Sequence, residues 1–269
     1  MAQKLSLPYL IESELNSGTE IQTHTMPPVE PLLLTTVYVS TLQGNAPLSS
    51  ATGFFFCRNE RLYLVTNRHV MLDEASGHRP DRIVIRVFSD PANLTATTYF
   101  SIPLYQSGLG QWLQAQDSSG TTDVVAIELE KDALPAGMVY EAFSPETLFT
   151  PDTIVEVGAS LMVVGFPLGF SDTLHNLPVV RQAGLASHFG LRFHGIGYFL
   201  TDARTHRGIS GGPVVLRVVD GTNSQPEFHW RLLGIHSARL DVGSRDVQQD
   251  EALGLNSAWY ADVLMTLTD

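Results

Sequence analysis

Short runs rich in valine, isoleucine, leucine, phenylalanine and tyrosine recur along the chain, and glycine, proline, asparagine or aspartate punctuates the gaps between them. Runs of this length are too short for ordinary helices and read as half-buried strands. The first series is Leu32–Leu42, Ala51–Cys57, Leu62–Thr66, Arg82–Phe88, Thr97–Leu104, Gln111–Gln116 and Asp123–Leu129. The second is Ser160–Gly165, Val179–Ser187, Tyr198–Thr201, Val214–Val219, Trp230–His236 and Leu253–Asn256. Between them the chain turns irregular, with Pro135, Gly137, Pro145 and Pro151. Two sets of about six strands suggest two small β-barrels. The reading divides the chain into an extension (1–31), a first barrel (32–135), a linker (136–155) and a second barrel with a closing helix (156–269). That helix is predicted over Ala258–Leu267, where Trp259, Val263, Leu264 and Leu267 fall on one face.

Composition narrows the function classes. A chain of 269 residues can bury the core that two lobes require. A formal net charge of −12 argues against nucleic-acid or anionic-membrane partners, which call for a basic surface. No run approaches the roughly 18 apolar residues of a membrane span. Met1–Glu20 carries Lys4 as its one cation, and its short apolar patch is broken by Pro8 and followed by Glu12 and Glu14, so no signal peptide is expected. Cys57 stands alone, which excludes an intrachain disulfide. Both points predict a cytoplasmic protein.

The segment Thr205-His-Arg-Gly-Ile-Ser-Gly-Gly-Pro213 concentrates the chemistry. A serine hydroxyl attacks a carbonyl only with a base to take its proton and N–H donors for the developing oxyanion. Gly208 can adopt dihedrals that turn its N–H toward such a charge, and Gly211 and Gly212 let a substrate approach Ser210. The same string also satisfies the nucleophile elbow of α/β-hydrolases. That fold needs the order serine, acid, histidine followed by strand–helix units. Here only 59 residues follow Ser210 and they read as strands plus one helix.

Upstream, the strand Leu62–Thr66 leads into Asn67-Arg68-His69-Val70, and Asp123 leads into the apolar run Val124–Leu129. The order is therefore His69, Asp123, Ser210. In this arrangement the chain resembles the chymotrypsin/trypsin-like serine peptidases, particularly their disulfide-free bacterial and viral branch. The resemblance rests on V-T-x-x-H-V at Val65–Val70, D-V-V-A-I at Asp123–Ile127 and G-x-S-G-G-P at Gly208–Pro213, and spans about residues 35–267. It implies two six-stranded antiparallel Greek-key barrels with the active site between them, and a bacterial source. It also implies that His69 is the general base, Asp123 orients it, Ser210 is the nucleophile, and the amides of Gly208 and Ser210 form the oxyanion hole. Neither a metal nor an organic cofactor is called for. Secreted members pair an acid beside the nucleophile with a newly cut N-terminus. Ile209 stands there and cannot, so activation by N-terminal cleavage is not expected.

By the same resemblance, Leu233–Arg239 walls the primary specificity pocket. His236 matches the substrate-reading histidine of glutamyl endopeptidases and viral 3C-type proteases, with Thr205 as its hydroxyl partner. Together they suit a P1 Glu or Gln. Residues 201–240 hold five arginines against Asp202, Asp220 and Glu227, which favours Glu. Arg204 and Arg239 match pocket-wall positions, Ser237 supports the catalytic acid, and the backbone of Ser237, Ala238 and Arg239 pairs with an extended protein or peptide substrate. Three other readings stand beside this one. His236 could be a satisfied core residue with Arg204 facing Asp202. Asp202 could select a basic P1 residue. The whole could be a catalytically silent binding protein on the protease fold. The sequence does not reveal a regulatory partner.

Overall fold

The computed structural model describes residues 29–150, 153–218, 229–240 and 253–269. Positions 1–28 of the expected extension, and Asp220 and Glu227, lie outside the described residues. The chain enters through one helical turn, α1 (Pro31–Leu34), opened by a proline and closed by the Thr35 hydroxyl donating to the Leu32 carbonyl at 2.7 Å. The strand expected from Leu32 therefore starts later, as β1 (Thr36–Gln43).

Next come β2 (Ala46–Arg58), β3 (Arg61–Thr66), the helical turn α2 (Arg68–Met71), β4 (Arg82–Phe88) and β5 (Thr97–Pro103). A two-residue ladder, β6 (Tyr105–Gln106) with β7 (Leu109–Gly110), precedes β8 (Leu113–Asp117) and β9 (Gly120–Leu129). One antiparallel sheet takes the order β5-β4-β1-β2-β3-β9-β8, seven strands that answer to the seven runs of the first series, where the family resemblance implied six. The second half contributes β10 (Ser160–Gly165), β11 (Val179–Gly184), β12 (Tyr198–Thr201), β13 (Pro213–Arg217), β14 (Trp230–Arg239) and β15 (Asn256–Tyr260), followed by α3 (Val263–Leu267). These six strands order as β11-β10-β13-β14-β15-β12. Its end strands meet just past β11, where Leu185 bridges Thr201 and the Ala186 amide donates to the Leu200 carbonyl at 2.8 Å. No comparable ladder joins β5 to β8 among the described residues. The protein is mostly β, in keeping with a double-barrel architecture.

Side-chain alternation explains how two sheets share three cores. Along β2, Phe54 and Phe56 point into the core between the sheets while Phe55 points into the first sheet's own core. Tyr63 and Val65 on β3, and Val124 and Ala126 on β9, make the same choice, with Leu62, Leu64, Val125 and Ile127 turned the other way. Strands buried on both faces lose polar alternation, and these runs are accordingly almost wholly apolar. The connecting segment is tied to both halves: Phe143 pairs with Phe56, and Leu148 with Leu232.

The predicted closing helix needs correction. Ala258, Trp259 and Tyr260 lie in β15, paired with β14 and β12, and helix is confined to Val263–Leu267. Ala258 and Tyr260 face the second sheet's core and Trp259 the shared one, which is a two-residue period. Trp259, Leu264 and Leu267 do reach one core, with Val263 packed against it, but Trp259 does so from a strand.

Candidate active site

The histidine is delivered by a change of element. β3 ends at Thr66, and extended Asn67 (φ −83°, ψ 151°) starts the α2 turn, putting His69 at its second position. Buried Asn67 fixes this junction by donating its Nδ2 to the Asp123 carbonyl at 2.8 Å. β9 pairs with β3 as far as Thr66 opposite Val125, so Asp123 stands just beyond the ladder and faces the turn. Its Oδ1 accepts from the His69 backbone amide at 2.9 Å, and its Oδ2 contacts His69 Nδ1 at 2.8 Å. Because a carboxylate only accepts, the imidazole proton resides on Nδ1, leaving Nε2 as a base. Ser237 Oγ donates to the same Oδ2 at 2.6 Å. Burial of the ring lowers the His69 pKa, but the bond to Asp123, its charge and that of Asp73 outweigh this and raise it above 6.5.

The serine is held by backbone fit. Gly208 and Gly211 have φ of 93° and 86°, a region L-residues rarely occupy. A Cβ on Gly211 would overlap the Thr52 carbonyl and Thr66 Oγ1, and one on Gly212 the Val164 carbonyl. The Gly211 amide donates to the His236 carbonyl, and the His236 amide to the Gly212 carbonyl, each at 2.9 Å. Thr52 N donates to the Ser210 carbonyl, also at 2.9 Å, joining the sheets at the nucleophile loop. The Ser210 hydroxyl donates to the Ser237 carbonyl at 3.0 Å. No hydrogen bond joins it to the His69 ring among the described residues. The amides of Gly208 and Ser210 donate to no group among the described residues.

Among the expected pocket residues the outcome is mixed. His236 and Thr205 are both buried, but no hydrogen bond joins them. Thr205 Oγ1 donates instead to Asn256 Oδ1 at 2.6 Å, whose Nδ2 donates to the Ala203 carbonyl at 2.6 Å. His236 Nδ1 is buried with no partner among the described residues. Burial first, and repulsion from His69 second, push its pKa down to about 4, so the ring is neutral at physiological pH. Arg204 and Arg239 are exposed and form no ion pair among the described residues, so Arg204 does not face Asp202 as a salt bridge. The Asp202 carboxylate accepts from the Gly184 amide at 2.5 Å. The Ala238 amide meets Ser257 Oγ at 3.4 Å, and Ile209 is buried in the second sheet's core.

Residues 51–220 match the trypsin-like peptidase domain family. The chain belongs to that family. The matched stretch contains His69, Asp123 and Ser210, whereas His236–Arg239 lie beyond it. No curated protein is similar enough in sequence to count as a relative. Among solved structures, this trypsin-like peptidase is similar to the serine endoprotease from Yersinia pestis (15% identity, 90% of this chain and 66% of that one, TM-score 0.48). It therefore spans just under two thirds of that protein's length. It is also similar to Rv3671c from M. tuberculosis H37Rv, a serine-to-alanine mutant in an inactive form (14% identity, 88% and 86% covered, TM-score 0.46).

The candidate site contains residues that sequence reasoning passed over. Thr52, Thr66, Asn67 and Asn256 are buried polar groups whose hydrogen bonds run into the site. A threonine inside a strand-forming run carries no signal of its own, because β-branching alone accounts for its presence there.

Proposed function

We propose that this trypsin-like peptidase is a serine endopeptidase that cleaves protein substrates through an acyl-enzyme, with a preference for P1 Glu or Gln. His69 Nε2 takes the Ser210 proton as Oγ bonds to the scissile carbonyl carbon, and the carbonyl π pair moves onto oxygen. The amides of Gly208 and Ser210 receive that oxyanion. Its collapse breaks the C–N bond, and His69 protonates the departing amine. Water then repeats the sequence on the ester, returning the proton to Ser210. Asp123 keeps the imidazole proton on Nδ1 and stabilises the imidazolium.

The observation that carries this reading is a continuous chain of bonds: His69 and Ser237 both engage Asp123, and the Ser237 carbonyl accepts from Ser210. In the proposed reaction the Ser210 hydroxyl turns from the Ser237 carbonyl to His69 Nε2. Catalytic hydrogen bonds commonly tighten only when substrate is bound. An extended substrate laid along Ser237–Arg239 brings its own N–H to the Ser237 carbonyl and frees the hydroxyl.

The P1 preference rests on neutral, buried His236, whose N–H can meet a side-chain carbonyl oxygen, and on exposed Arg204, next to Thr205, and Arg239, three residues past His236. Engagement of Asp202 with Gly184 counts against a basic P1. A fluorophosphonate probe should label wild type and leave Ser210→Ala unlabelled, and a P1-varied peptide set should give best cleavage after Glu or Gln. Absence of labelling would favour a silent binding protein. Best cleavage after Arg or Leu would remove the pocket assignment alone.

A further inference from the structure

Thr52 sits on β2 of the first sheet, fully buried, yet its polar atoms bond to the Ser210 loop, to the residue after β10 and to the end of β3. Its Oγ1 donates to the Gly208 carbonyl at 2.7 Å and accepts from the Phe166 amide at 3.1 Å. Its backbone amide donates to the Ser210 carbonyl at 2.9 Å, and its carbonyl accepts from Thr66 Oγ1 at 2.8 Å. Thr66 ends the strand that delivers His69.

The opposing sheet is cut back to admit this side chain. A Cβ on Gly165 would lie 2.6 Å from Thr52 Oγ1 and 3.1 Å from its methyl. Gly165 is therefore the space into which the threonine fits. On the far side of Gly208, the Arg207 carbonyl accepts from the Leu168 amide at 2.6 Å. A trans peptide directs its C=O and N–H oppositely, so the bond to Arg207 aims the Gly208 N–H away from Leu168. The Thr52 hydroxyl fixes the next carbonyl, so Gly208 is gripped on both sides.

We propose that Thr52 is a positioning residue for the oxyanion-binding amide of Gly208, supplied by one sheet to the loop of the other. This rests on the peptidase reading above. The hydroxyl holds the Gly208–Ile209 peptide so that Gly208 remains at φ 93° with its N–H presented to the developing negative charge. Alternative orientations of this peptide leave the Gly208 carbonyl, buried in the interface, without a donor. The hydroxyl never touches substrate.

Thr52→Val keeps the shape and removes the donor. We expect kcat to fall about tenfold to a hundredfold, somewhat less than deletion of an oxyanion donor outright. KM should change less than about twofold, because ground-state binding does not draw on the oxyanion amide. Fluorophosphonate labelling should slow in parallel, since its phosphoryl oxygen enters the same place. Thr52→Ser should restore kcat to near wild type. Thr52→Ala against Thr52→Ser, which differ by the hydroxyl alone, repeats the comparison if valine disturbs folding. Hydroxyl-free variants with wild-type kcat and labelling rates would overturn the proposal, as would a loss shared equally by Thr52→Ser. Wild type that neither labels nor cleaves would instead defeat the peptidase reading itself.

Discussion

Asp123 and Ser210 sit at the mouths of two different sheets, and each is fixed by a different kind of force. Asp123 is held by side-chain chemistry: three donors converge on one carboxylate, from the His69 amide, the His69 ring and Ser237. Ser210 is held by backbone chemistry, in a loop whose glycines fit against carbonyls of β2 and β10. A charge-assisted bond tolerates small displacements because its attraction is long-ranged, whereas steric fit does not. Substitutions on the acid side should therefore damage catalysis with the fold intact. Substitutions on the glycine side should damage both.

Asp123→Asn gives the largest expected effect: about a 10⁴-fold fall in kcat through the wrong imidazole tautomer, with an unchanged unfolding midpoint. The pH profile sharpens the point. On the proposed mechanism neutral His69 is the active form, and its pKa is raised above 6.5, so kcat/KM of wild type should rise with pH through a value above 6.5. Gly211→Ala tests the opposite side. A new Cβ overlapping Thr52 and Thr66 at φ 86° should cost about 3 kcal/mol or more in urea unfolding and abolish activity. An active, stable Gly211→Ala enzyme would break the contrast.

His236 gives an effect of similar size that depends on pH. Its folded pKa of about 4 lies below the unfolded value near 6.5, so it binds its proton more readily when unfolded. Stability is full above that unfolded value and is lost as pH falls, approaching about 3 kcal/mol below pH 4. Urea melts at neutral and acid pH should show this extra loss in wild type and not in His236→Gln. Ser237→Ala removes one of the three donors to Asp123 and should lower kcat about tenfold to a hundredfold with little change in folding. The smallest effect belongs to Gly44→Ala, at φ 57° with open space around it, which should cost about 1 kcal/mol and leave activity unchanged.

Much of the fold was legible because strand periodicity is a local property. Runs such as Arg82–Phe88 and Ser160–Gly165 coincide with β4 and β10 at both ends. The tail misled because its apolar spacing fits a helix while β14 and β12 offered unpaired edges on either side of Asn256–Tyr260. Ladder bonds outweighed intrinsic pattern there. Thr205 shows a different limit. It is buried where the pocket expectation put it, but Asn256, fifty-one positions along the chain, claims its hydroxyl.

By itself the sequence singled out the candidates for chemistry: a histidine after a strand, an aspartate ahead of another, and a serine among glycines that permit positive φ. These are decided by residue type and near neighbours. Only the tertiary structure decided which partners those groups find. The interlobe bonds of Thr52, the turn of the Ser210 hydroxyl toward Ser237 and a His236 Nδ1 with no partner among the described residues each depend on atoms far apart in the chain. Such contacts are set by how two sheets close on a shared core, and no local pattern encodes them.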